Sequence, residues 1–202
     1  MATAAPARLI LASGSSARQE LMRRAGYTFD VIAANIDEPT GAGVTDIRRF
    51  VQEVAWRKAA AVAPRIDRGI VIAADTVGWI GGQVIGKPED SADARRILKT
   101  LGGTEHELWT GVTLWRRPDD LQLVWQERSR VFLRAMDDAE MGRYLATREW
   151  RNNSGAYAIK EDGDPYLRVV EGTVSNVIGL PLETTLKVLP WFAGPAPSDR
   201  PV

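Results

Sequence analysis

Two charged residues on either side of a tight hairpin raise the first chemical question in this sequence. In ADTVGWIGGQVIGKP, residues 74–88, Asp75 follows an apolar run that reads as a strand, Gly81 and Gly82 turn the chain, and Lys87 stands between Gly86 and Pro88. The pair can be a strand cap and a solvated turn residue, or it can share one anionic-substrate site. Glu38 ends a second stretch, YTFDVIAANIDE, that also reads as a strand. If the two strands are neighbours, Glu38 and Asp75 converge at one sheet edge. Paired carboxylates can hold a divalent ion, and one of them can activate water. The alternative is two separate strand-end caps.

Three further features have the types and places that suit an anion. The loop LASGSSARQEL puts small residues between a buried strand and a helix, which leaves backbone amides free at the positive end of a helix dipole. Ser16 and Gln19 have capping-box spacing, and Gly26 stands where a helix-ending left-handed residue belongs. Arg18 falls in the first helical turn, where a cation is disfavoured unless an anion lies nearby. In the next helix, Ile47, Val51, Val54 and Val62 form an apolar stripe and Lys58 lies in its middle. Its ammonium either escapes to water along an apolar stem or turns inward to a bound anion or carboxylate. Trp56 falls on the opposite face, exposed or part of an interface.

Composition narrows the chemistry. The chain has 202 residues, 45% hydrophobic and 26% charged, with 26 Lys+Arg against 26 Asp+Glu. This is ordinary globular composition with no overall field to attract nucleic acid or an acidic membrane, so an anion site must be built locally. There is no Cys and a single His, His106. That excludes disulfides, thiolate chemistry and His-rich metal sites, and leaves carboxylates, Lys, Arg and amides, a set suited to Mg²⁺ or Mn²⁺ and a phosphorylated substrate. His106, in GGTEHELWTG, reads as a packing or hydrogen-bonding residue. Ser175 and Asn176 read as turn residues with polar contacts open to a ligand. The short apolar run at the start is below signal-peptide length and no stretch reaches membrane-span length, so the expected place is the cytoplasm.

The elements needed to position these groups alternate. ARLILAS reads as a first strand, SSARQELMRRAG as a helix, TDIRRFVQEVAWRKAAAVAP as a helix stopped by Pro64, and GIVIAADTVGWIGGQVIG as two strands. SADARRILKTLGG reads as a helix, HELWTGVTLWRR and LQLVWQERSRVFLRAM as strands, and DDAEMGRYLAT as a helix with Asp137 and Glu140 in capping-box spacing. GAYAI and YLRVVEG read as short strands or a loop pair, and LPLETTLKVLPWF as a last helix. The pattern predicts the α/β class, a mixed β-sheet flanked by helices. A Pro-rich tail follows from about residue 193.

Three stretches in order, LILASGSSARQELMRRAGYTFDVIAANIDE, VIAADTVGWIGGQVIGKPEDSADARRILKTLGGTEHELWTGVTL and GAYAIKEDGDPYLRVVEGTVSNVIGLPL, together resemble the Maf family. These are nucleoside triphosphate pyrophosphatases also linked to septum formation. The resemblance runs from about Leu9 to Leu189. It implies one domain with a deep cleft between two lobes, as in inosine-triphosphatase folds, and hydrolysis of a nucleoside triphosphate to the monophosphate and pyrophosphate with a divalent metal, Mg²⁺ or Mn²⁺. Asp75 matches the family's general base and Glu38 an acidic residue that binds metal. Ser13, Arg18, Lys58 and Lys87 match residues lining the phosphate part of the cleft. A homodimer is implied at family level.

Two stretches depart from the family. The first loop commonly carries Ser-Pro-Arg-Arg or Ser-Pro-Trp-Arg, and here it is Ser15-Ser16-Ala17-Arg18. Lys160 follows GAYAI where Gln is common. Thr76 matches the branch acting on dTTP and UTP. In the family Ala17, Thr76 and Lys160 occupy positions that help choose the base, so the phosphate end resembles the family more closely than the base end. A second reading, a nucleotide-binding regulator of cell division with weak or no catalysis, stays open on sequence alone.

Overall fold

A computed structural model describes residues 7–151, 153–159 and 163–194. Among these residues a seven-stranded mixed sheet runs in the order β2-β1-β3-β5-β6-β7, with β4 paired to β3. The strands are β1 (Leu9–Leu11), β2 (Asp30–Val31), β3 (Gly69–Ile80), β4 (Gln83–Ile85), β5 (Thr104–Arg117), β6 (Gln122–Leu133) and β7 (Leu167–Glu171). The helices are α1 (Ser16–Arg24), α2 (Ile47–Val62), α3 (Ser91–Leu101), α4 (Asp138–Thr147), α5 (Val174–Ile178) and α6 (Leu182–Phe192). The expected mixed sheet with flanking helices is what forms.

The first half of β3 reads GIVIAAD because the sheet is covered on both faces. Side chains alternate across a strand, so Ile70, Ile72 and Ala74 join Leu9, Leu11, Leu21 and Met22 on one face. Val71 and Ala73 join Ile10, Ala12, Ala59 and Val62 on the other, under α2. A separate apolar cluster around Leu98, Leu108, Leu133 and Tyr144 serves α3, α4 and the far ends of β5 and β6. The core is thus divided, and the cleft opens between its parts.

Helix α2 starts at Asp46, whose side chain accepts from the Arg49 amide. It lies unusually close to the sheet. Gly111 pairs with Asp75 across the β3–β5 ladder. A Cβ on Gly111 would come within 2.1 Å of the Val51 carbonyl oxygen, so helix backbone rests directly on strand backbone. The stripe of α2 is buried as expected, and so is Lys58, at 7% exposure. Trp56 is 40% exposed on the outer face. Its ring lies 5.8 Å from that of Trp115, and its Nε1 donates to Gln122 Oε1 at 2.9 Å.

Several local expectations are corrected. Helix α1 is capped by Ser15, not Ser16, because Ser15 takes extended backbone angles and its hydroxyl accepts from the Arg18 amide; Gly26 has the expected positive φ of 82°. The second strand is only two residues long, so Glu38 sits on irregular chain well past it. Asp75 does not end its strand, since pairing with β5 continues through Trp79. Of the two readings of GAYAI, the loop is the one that forms, a 3-10 turn over Ser154–Ala156 followed by irregular chain. Residues 174–178 form a short helix, α5, where a turn was expected. The Asp137–Glu140 capping box of α4 is present as predicted.

Candidate active site

The site follows from strand parity. Asp75 shares the face of Val71 and Ala73 and so meets α2, while Thr76 shares the face of Ile72 and Ala74 and so meets α1 and α5. On the α2 side, Lys58 Nζ lies 2.7 Å from Asp75 Oδ1 and 2.8 Å from Glu38 Oε1. The inward reading of Lys58 is therefore the one the fold adopts. Both Lys58 and Asp75 are buried, which makes each a needed partner for the other. Lys87 Nζ, on the exposed chain after β4, reaches Glu38 Oε2 at 3.4 Å. Partial burial pushes the Glu38 carboxyl up, but hydrogen bonds and charge from Lys58, then Lys87, outweigh it and hold it below the ordinary glutamate value. The two carboxylates do converge, through lysines and across irregular chain instead of along one sheet edge.

On the α1 side, Arg18 is clamped. Its Nε donates to the Gly179 carbonyl at 2.7 Å, its Nη2 to Thr76 Oγ1 at 3.1 Å and its Nη1 to Ser13 Oγ at 3.3 Å. Thr76 Oγ1 also shares a 2.9 Å hydrogen bond with Thr110 Oγ1. Burial pulls the guanidinium below its ordinary value, while Asp75 and then Glu38 push it back up. These groups share one cleft of about 740 Å³, the size of a small-molecule site. Ser13, Gly14, Ala17 and Arg18 line it together with Glu38, Lys58, Asp75 and Lys87. The amides of the first α1 turn stand at this border.

The other border carries no charge over Leu108, Tyr157, Ala158, Ile159 and Val177. The lining thus combines a charged group of residues with an apolar to aromatic wall. Arg151, Asn153 and Ser154 also line it and were missed in the sequence, where no periodicity marks them. Ala17 and Thr76 line the cleft, whereas Lys160 lies outside the described residues. Ser175 and Asn176 make internal contacts instead of lining it. Ser175 Oγ donates to Glu183 Oε2, and Asn176 Nδ2 donates to Ser129 Oγ at 3.0 Å. His106 is a buried hydrogen-bonding residue, as expected, with Nε2 2.6 Å from the Tyr157 hydroxyl.

The family model for Maf-like protein matches residues 8–192. The chain belongs to the Maf-like family. Among Maf-like relatives, it is 42% identical over 197 residues to a dTTP/UTP pyrophosphatase of Anaeromyxobacter sp. strain Fw109-5, covering 96% of this chain and 94% of that one. It is 38% identical over 184 residues to a dTTP/UTP pyrophosphatase of Pelotomaculum thermopropionicum, covering 91% and 96%. A HAM1 protein from Coxiella burnetii shares the Maf-like fold, with a TM-score of 0.50 at 18% identity over 92% of this chain and 99% of that one. No helix among the described residues is long and apolar enough to cross a membrane.

The donor chemistry of this Maf-like cleft fits a hard divalent cation. Glu38 and Asp75 already converge on one positive charge, the Lys58 ammonium. No group of three or more His, Asp or Glu able to hold a metal occurs among the described residues. Mg²⁺ is commonly held by one or two carboxylates, with substrate oxygens and water completing its shell.

Proposed function

We propose that this cleft hydrolyses nucleoside triphosphates to the monophosphate and pyrophosphate, with dTTP and UTP as its substrates. The observation that carries the reading is the buried Asp75 carboxylate, gripped by Lys58 in a cleft that also has an apolar to aromatic wall. A nucleotide has the same asymmetry, a polyanion joined to a flat, weakly polar base. Membership of the Maf-like family and the names of its relatives support the same activity.

In this reading Asp75 is the general base. It takes a proton from a water whose oxygen bonds to the α-phosphorus; the bond from that phosphorus to the α–β bridging oxygen breaks, and pyrophosphate leaves with the bridging oxygen. Lys58 keeps Asp75 oriented through their 2.7 Å contact. Arg18, Lys87, the Ser13 hydroxyl and the first α1 amides stabilise negative charge on the phosphate oxygens. Glu38 and Asp75 would hold Mg²⁺ or Mn²⁺. When bound, the ion supplies further neutralisation of phosphate charge.

Base choice belongs to the other end. Ala17 neither stacks nor donates there, so the wall containing Tyr157 and Ile159 frames the base, with Lys160 next in sequence. Thr76 contributes indirectly, because its hydroxyl is engaged by Arg18 and Thr110. The same chemistry suits a house-cleaning role on canonical or modified nucleotides in the cytoplasm. A homodimer using the outer face of α2 around Trp56 completes the proposal.

The test is pyrophosphate release from a panel of nucleoside triphosphates with Mg²⁺ or Mn²⁺. The expected result is turnover led by dTTP and UTP that requires the divalent ion. No pyrophosphate from any nucleotide would overturn the reading in favour of a binding protein.

A further inference from the structure

The 3-10 turn beside the cleft is held in a backbone shape its residues do not favour. Gly155 has φ 78° and Ala156 has φ 60°, and a left-handed alanine persists only where its surroundings over-determine it. Three hydrogen bonds pin the chain. Gly155 N donates to the Gly86 carbonyl at 3.1 Å, Ser154 Oγ donates to the Thr76 carbonyl at 3.0 Å, and Ala158 N donates to the Tyr144 hydroxyl at 3.3 Å. They fix the backbone on both sides of Tyr157. The polar end of the Tyr157 side chain has one described partner, the 2.6 Å bond to His106 Nε2 from β5. The two rings also meet edge to face at 5.5 Å.

His106 is 3% exposed and does not line the cleft, whereas Tyr157 does. Burial lowers the imidazole pKa to about 4 and raises the Tyr157 hydroxyl well above its ordinary value, so at neutral pH the bond joins two uncharged groups. The space just inside Gly155 is already taken by the ring, since a Cβ there would lie 2.7 Å from Tyr157 Cε1. The ring is therefore wedged on one side and tied at its tip.

We infer that His106 is a positioning residue for base selection: by holding the Tyr157 hydroxyl it fixes the uncharged wall against which the nucleobase rests. The inference builds on the reading of the cleft as a nucleotide site. Without the tie the ring gains freedom at the base end while Asp75, Lys58 and Glu38 keep their places. The base should then bind less tightly and be discriminated less well, with little change at the reacting phosphorus.

The experiment compares His106→Leu with His106→Gln, whose amide can again reach the Tyr157 hydroxyl. For His106→Leu the expected result is a roughly tenfold rise in KM for dTTP and UTP, with kcat within about threefold of the parent. The preference for dTTP over ATP, as a ratio of kcat/KM, should fall by a similar factor. His106→Gln should recover most of both. An unchanged KM and preference in His106→Leu, or a fall in kcat at constant KM, overturns the inference. So does a folded His106→Gln that behaves like the leucine variant. If His106→Leu does not fold, Tyr157→Phe, which keeps the ring and deletes the hydroxyl, is judged by the same KM and preference criteria. If the parent protein turns over no nucleotide, the proposed function fails, and the latch is judged instead by calorimetric binding of α,β-methylene dTTP and ATP. A dTTP-to-ATP affinity ratio that His106→Leu leaves unchanged, or an absence of binding to the parent, then overturns it too.

Discussion

The two ends of the cleft are held in place by different means. At the charged end, side chains hold one another: Lys58 spans Asp75 and Glu38, Lys87 reaches Glu38, and Arg18 is forked between Ser13, Thr76 and Gly179. At the uncharged end, backbone is held in an unfavourable shape and a single aromatic ring is tied through its hydroxyl. The first kind of region can lose one group while its backbone stays where it is. The second transmits any change along the turn. Chemistry and selectivity should therefore be separable by mutation, and the following tests bear on that separation.

The largest effect should come from Asp75→Asn. The amide keeps size and hydrogen bonding but accepts no proton, so turnover should fall by roughly 10²–10⁴-fold while nucleotide binding survives. Steady-state rates with a calorimetric Kd check this, and near-normal turnover would remove Asp75 from its role. Next, Lys58→Met keeps the apolar stem and leaves the buried Asp75 carboxylate without its partner. Stability measured by denaturant in the absence of divalent ions should fall by about 3 kcal/mol. A variant that is as stable as the parent, or more so, would make Lys58 a replaceable core residue.

The most gradual effect, spread over pH, belongs to the aromatic wall. His106 titrates at about 4 in the folded chain against 6.5 when unfolded. A lowered folded value means that the unfolded chain binds the proton first. The stability it contributes is thus whole above pH 6.5 and is lost as pH falls toward 4, up to about 3 kcal/mol at the full shift. Denaturation curves across that window should show the parent losing stability relative to His106→Gln as pH falls. Parallel curves would mean that the imidazole is not held neutral by burial.

How far the sequence discloses this arrangement depends on the physics at each place. Lys58 was legible because a cation in the middle of an apolar helical stripe has few places to go. Its partner was legible only in type. That Asp75 meets α2 depends on strand parity within a strand twice as long as the apolar run suggests. Glu38 was misplaced because its stretch leaves the sheet after two residues and Asn35 takes a left-handed φ of 46°, neither of which a pattern of apolar residues displays. GAYAI reads as a short strand or a loop, and the bonds that make it a turn come from β3, β5 and Gly86, distant in sequence, and from the preceding helix α4. Arg18 was identified by an electrostatic oddity, a cation in a first helical turn, whereas its grip on Gly179 spans 161 positions. His106 reads as a packing or hydrogen-bonding residue, and in the fold it is both buried and bonded to Tyr157. That its partner faces the cleft is a property of the assembled sheet.

Gly111 carries a different kind of information. Its missing side chain is a spacing standard: the thickness of bare backbone sets how far α2 stands from β3, and hence whether an ammonium two turns along the helix can touch a carboxylate on the neighbouring strand. Natural variation should treat that position as if it were part of the machinery although no reactant ever meets it. A single methyl group beneath the helix would act as a shim and push Lys58 off its register. Tolerance to change in this molecule is therefore set less by distance from the reacting atoms than by which surfaces serve as rulers.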